Sequence, residues 1–178
     1  MFEGWSEFYL LAGSAAAVLI GLIFVVVTLM NDRPRSSVLF GSWLFMGPVV
    51  LHVSFVLVLS AAALVPGIDA HGFAAIAAVI ALWGLFRGVS SVLGIRRLGA
   101  NETVHWTDVW FYGVAPAAIY LALIGVALGV GSGAAWAPRV LAAVIVALLL
   151  ISIRNEWDLV TWLAPKGDDD RPGTSGFG

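Results

Sequence analysis

From Phe8 to Met30 the chain runs 23 residues without a charge. At 1.5 Å of rise per residue, a helix of that length crosses about 30 Å of hydrocarbon with a little tilt. Four more apolar runs follow, at about residues 38–64, 73–93, 109–130 and 134–153. Lipid offers a backbone amide no partner, so such runs are expected to be α-helices that pair their amides internally. Five of them in 178 residues leave little chain for a globular head. The expected fold is all-α: an integral membrane, five-helix transmembrane bundle forming one domain over residues 1–165. Its last helix continues past the membrane to about residue 163, and a polar tail, disordered by composition, occupies residues 166–178.

Composition agrees with this and removes several classes. Hydrophobic residues make up 61% of the chain and charged ones 11%, against about 25% charged in soluble domains, and the mean hydropathy is +0.99. There is no cysteine, which excludes disulfides, thiolate ligands and thiol catalysis. A net charge of −2 with no strongly basic patch argues against nucleic acid as a partner. The opening MFEGWSEFYL holds Glu3 and Glu7 and no basic residue, unlike the n-region of a signal peptide, so the first span is expected to be retained. One lysine against eight arginines, with abundant alanine, is the bias of a high-GC bacterial gene, and the inner (cytoplasmic) membrane is the expected location.

Within the spans, small residues recur at helical spacing: Gly13, Ala17 and Gly21 in the first, Gly84 and Gly88 in the third, Gly125 and Gly129 in the fourth. Such stripes let another helix backbone approach closely, inside one chain or between copies. Gly47-Pro48 is the expected bend in the long second span, because proline removes a backbone hydrogen bond there. His52 lies halfway along that span, and Tyr120 lies at the middle of the fourth. An imidazole at such depth must face the bundle interior or a wet cavity. Matching depth makes a hydrogen bond between His52 and Tyr120 the natural expectation. A structural role and a functional one, as proton relay, ligand contact or pore lining, both fit.

Five spans put the termini on opposite sides. With the N-terminus outside and the C-terminus cytoplasmic, the inner side collects Arg33, Arg35, Arg96, Arg97, Arg154, Lys166 and Arg171, while the outer side holds only Arg139. Seven against one satisfies the positive-inside rule. A loop over residues 94–107 is expected between the third and fourth spans. Arg87, Asp108, Arg154, Asn155, Glu156 and Asp158 then gather at the cytoplasmic ends of three helices as a candidate charged rim. Arg87 paired with Asp108 or Glu156 is one expectation, and separate solvation of boundary residues is the other.

Catalytic and nucleotide signatures are missing: there is no Walker loop, dinucleotide glycine fingerprint, HExxH or GxSxG. His52, His71 and His105 belong to the middle, the outer end and a cytoplasmic loop, too far apart for one metal or haem. A retinal Schiff base is excluded because Lys166, the only lysine, lies beyond the spans. No enzyme activity, cofactor or metal is expected. The run GSAAAVLIGLIFVVVTL of the first span, with RNEWDLVTW after the fifth, resembles a diffuse group of small bacterial multi-span membrane proteins, from which no activity carries over. The leading expectation is a homo-oligomeric pore or ion channel with Glu156 or Asp158 as a cation-attracting ring. The alternatives are a non-catalytic accessory or assembly subunit bound to a membrane or cytoplasmic partner, and a proton-linked carrier using His52 and Tyr120. All share the lipid bilayer as solvent.

Overall fold

The computed structural model describes residues 2–29, 47–98 and 110–163. Their secondary structure is helical throughout: α1 (Ser6–Leu29), α2 (Gly47–Leu64), α3 (Ala70–Leu98), a π-helical turn (Trp110–Val114) leading into α4 (Ala115–Gly131), and α5 (Ala137–Leu163). Three stretches are long and apolar enough to cross a membrane, Ser6–Val26, Ala70–Ser90 and Ala137–Asp158; Val49–Leu64 and Ala115–Gly131 are shorter apolar helices. Residues 38–46, expected to open the second span, lie outside the described residues, as do the loop arginines Arg33 and Arg35 and the tail.

The described turns follow from local chemistry. After α2, Gly67 takes φ 76°, a left-handed conformation open to glycine at little cost. Asp69 then caps α3, its Oδ1 accepting a hydrogen bond from the backbone N–H of Gly72 at 3.2 Å. One expectation is corrected here. The loop anticipated from Gly94 does not begin there; α3 continues to Leu98 and takes in Arg96 and Arg97. A single glycine costs a helix only about 1 kcal/mol relative to alanine, and the leucine, isoleucine and arginines beside Gly94 carry the helix on.

At the start of α4, Pro116 cannot donate a backbone hydrogen bond, and in a regular α-turn its ring would crowd the carbonyl of Tyr112. The preceding residues Trp110–Val114 adopt the wider π turn, which relieves that crowding. Between α4 and α5 the chain reverses at Gly133, φ 73°. The ring of Trp136 folds back over Gly129, where a Cβ would stand 2.6 Å from it.

Two antiparallel pairs, α1 with α2 and α3 with α4, form the largest seams, and α5 joins them by packing against α4, α2 and α1. Gly13 faces Ser60 across the first seam, and Gly88 faces Ala117 across the second. The core between them is filled by Tyr9, Leu59, Phe73, Tyr120, Leu123, Leu141, Ile145 and Leu148, all fully buried. The outside is also apolar, with Leu11 70% and Leu128 71% exposed. A helix set that is hydrophobic on both its buried and its exposed faces is suited to lipid. Trp136 is exposed at one end of the bundle, and Trp110 and Trp157 at the other, where indole rings suit the membrane–water interface.

Candidate functional site

Of the polar side chains in the described interior, the most closely engaged are His52 on α2 and Tyr120 on α4. His52 Nδ1 lies 2.6 Å from Tyr120 Oη, with His52 only 4% exposed and Tyr120 wholly buried. Either the phenol donates to an unprotonated Nδ1 or an Nδ1–H donates to the phenol oxygen. In both cases the other ring nitrogen, Nε2, is buried without a hydrogen-bond partner among the described residues. The pair therefore has one satisfied side and one open side inside an apolar core.

Tyr120 is fixed by its seat. A Cβ on Gly84 of α3 would overlap its ring, so the phenol occupies the space that a side chain at position 84 would take. Phe55 meets the same ring edge-on, with centroids 6.0 Å apart and planes at 87°. Four residues along α3, Gly88 brings the two helices together more mildly, its missing Cβ 3.6 Å from Ala117. The two glycines of α3 thus do different things: one seats an aromatic ring and the other allows close backbone approach.

The other small residues divide similarly. Gly13 lies on the α1–α2 seam, where a Cβ would stand 3.2 Å from Ser60 Cβ. Ala17 and Gly21 are exposed, and the buried line of α1 runs instead through Tyr9, Ala12, Ala16 and Ile23. Gly125 has no neighbour within 4 Å of a would-be Cβ, whereas Gly129 accommodates Trp136 from its own connecting turn.

At the far end of α5 the charged residues take separate roles. The Arg154 guanidinium lies over the ring of Phe111, 3.6 Å from its centroid, and Nη1 is 2.9 Å from Asp158 Oδ2, one turn along the helix. Asn155 is fully buried, and among the described residues neither its side-chain amide atoms nor Glu156 Oε1, also buried, has a hydrogen-bond partner. Asp108 lies outside the described residues. Arg87 is exposed on α3, and a Cβ on Gly47 would come 4.0 Å from its Nη2. Arg87 and Glu156 lie on α3 and α5, which share no extensive seam.

Phe111 was not marked by the sequence, since an aromatic residue near a helix start has no distinctive spacing. Tyr9 and Ser60 were missed too, although each is a buried hydroxyl without a partner among the described residues. No three His, Cys, Asp or Glu side chains among the described residues come together as a metal site. In comparisons with known proteins, the chain matches no family model, no curated protein and no solved structure.

Proposed function

We propose that the chain is a small proton-linked membrane carrier, inserted as a five-span bundle with its N-terminus outside, in which His52 and Tyr120 form the proton-bearing element. The observation that carries this reading is the 2.6 Å contact between a buried imidazole and a buried phenol, with Nε2 left unpartnered. A titratable side chain held deep in an apolar bundle is costly, and such groups in membranes commonly serve ion or proton pathways. Chemically, the ring accepts a proton at Nε2 and releases one from Nδ1 through the phenol oxygen. It returns to the neutral state as the other tautomer. A second turnover requires the imidazole itself to return to the Nδ1–H tautomer, with the phenol hydroxyl rotated so that its oxygen accepts from Nδ1–H.

The test is proton entry into liposomes that hold a pH-sensitive dye and the purified protein. Wild-type protein is expected to exceed protein-free vesicles, and His52→Gln to fall to their level. Well-folded wild-type protein without flux would falsify the reading.

A homo-oligomeric pore is the second reading, and one observation favours it. Glu156 Oε1 is buried and, among the described residues, unpartnered at the end of α5, while Asp158 is held by Arg154. A cation-attracting ring on a symmetry axis would therefore rest on Glu156. Flux that survives His52→Gln but is lost on Glu156→Gln would select this reading.

A further inference from the structure

The interior holds two hydroxyls that the His52–Tyr120 pair does not use. Tyr9 Oη on α1 and Ser60 Oγ on α2 are both buried, Tyr9 wholly and Ser60 to 1% exposure, and neither has a hydrogen-bond partner among the described residues. Helical serine and threonine commonly return their hydroxyl to a carbonyl one turn back. Thr28, Ser90, Ser152 and Thr161 do so here, at 2.7, 2.7, 2.8 and 3.0 Å. Ser60 does not. A buried hydroxyl without a partner is penalised in an apolar interior, and internal water is the ordinary remedy.

The two residues lie on the two helices, α1 and α2, that share one seam. Gly13 stands opposite Ser60, and a Cβ there would lie 3.9 Å from Ser60 Oγ, so the glycine leaves a notch beside the hydroxyl. Tyr9 is one helical turn from Gly13 on α1. On α2, Val56 is one turn from Ser60 and one turn from His52, and it is fully buried. Ser60 therefore borders the seam, with Tyr9 one turn along α1 from the glycine that faces it. The imidazole, with Nε2 unpartnered among the described residues, lies further along α2, and a packed valine stands between Ser60 and His52 in the chain.

We propose that the α1–α2 seam is the outer half of the proton path, with water held by Tyr9 Oη and Ser60 Oγ and with Val56 as the apolar plug between that water and His52. The path rests on the reading of His52 as the proton-bearing group; the hydration of the seam stands apart from it. Hydration is read by radiolytic hydroxyl-radical labelling of the purified wild-type protein, in which water beside a side chain is the source of the oxidant. Phe73 is the internal reference, because it is as deeply buried as Tyr9 and shares the ring of Phe2 with it.

Tyr9 is expected to be oxidised several-fold more than Phe73, and Ser60→Ala to reduce that oxidation at least twofold. Equal oxidation of Tyr9 and Phe73 overturns the hydrated seam whether or not the protein conducts. In liposomes, Val56→Ala is expected to raise proton flux several-fold and Ser60→Ala to lower it, each in protein that elutes as wild type does. If His52→Gln abolishes flux while Val56→Ala and Ser60→Ala leave it unchanged, the path is overturned and the His52 reading stands. If the wild type shows no flux, both are overturned together.

Discussion

Arg154 lies over Phe111, its guanidinium carbon 3.6 Å from the ring centroid, and so ties the polar end of α5 to the π-helical turn that starts α4. The contact is held from its other side by Asp158, 2.9 Å from Nη1. A planar cation against an aromatic face gains about 0.5–2 kcal/mol, depending on how dry the site is. The partners are not equal in weight. Arg154 and Asp158 side chains are each about a third exposed, and solvent weakens an i,i+4 ion pair of that kind to about 0.3–0.5 kcal/mol.

Phe111→Leu is therefore expected to lower stability in detergent by about 1 kcal/mol, and Asp158→Asn by less than half of that. Arg154→Ala should cost more than Asp158→Asn, because it removes the packing of the side-chain stem as well as the charge. Thermal or denaturant unfolding of the three variants ranks them. A larger loss for Asp158→Asn than for Phe111→Leu would reverse the assignment.

Gly84→Ala places a methyl group inside the Tyr120 ring, and overpacking of this kind costs about 1–3 kcal/mol. Gly88→Ala meets Ala117 at 3.6 Å, ordinary van der Waals contact, and gains helix propensity worth up to about 1 kcal/mol. The first variant should melt below wild type and the second at or above it. Tyr120→Leu in the Gly84→Ala background should recover part of the loss. A Gly84→Ala protein as stable as wild type would show that the phenol has another place to go.

Tyr120→Phe keeps the ring and removes the partner of His52 Nδ1. A buried polar group left unpaired costs about 1–3 kcal/mol, whereas replacing both partners with apolar groups can be nearly neutral. His52→Leu combined with Tyr120→Phe should thus be markedly less damaging than the sum of the two single changes. A double-mutant cycle measures the coupling, and additive losses would mean that the hydrogen bond contributes nothing to folding.

Arg87→Ala and Glu156→Gln should be additive in stability. The helices that carry them share no extensive seam, and changes on elements that do not pack closely together generally add to within about 0.5 kcal/mol. Coupling above that level would place the two residues in one network.

How much of this was legible in the chain depends on the kind of information involved. Depth along a span can be counted from the ends of an apolar run, which is how His52 and Tyr120 could be matched without coordinates. Rotation about a helix axis cannot be counted when the helix is apolar all round, because the periodicity that marks a buried face in a soluble protein is missing. That is why Gly13, Ala17 and Gly21 read as one packing stripe, although Gly13 is set against Ser60 while Ala17 and Gly21 are exposed. It is also why the ring seated on Gly84 could not be named in advance. The Arg154–Phe111 stack was hidden for a second reason: it depends on the π turn before Pro116, a local widening that leaves no mark in the hydropathy pattern.

That π turn also says where this chain can change length. A π turn is an α-helix that has absorbed one extra residue. Removing one residue from Trp110–Val114 can let the turn close to regular α geometry while Tyr120 stays on Gly84, provided that Pro116, whose ring the wider turn accommodates, is replaced as well. The same deletion between Ala117 and Tyr120 would swing the side chains on one side of it by about 100° relative to those on the other. Phenol and glycine could then no longer both keep their partners. Along the π turn and α4, Trp110–Val114 is the place where, with Pro116 replaced, the loss of a residue is best tolerated, and the seam with α3 is where length must be kept.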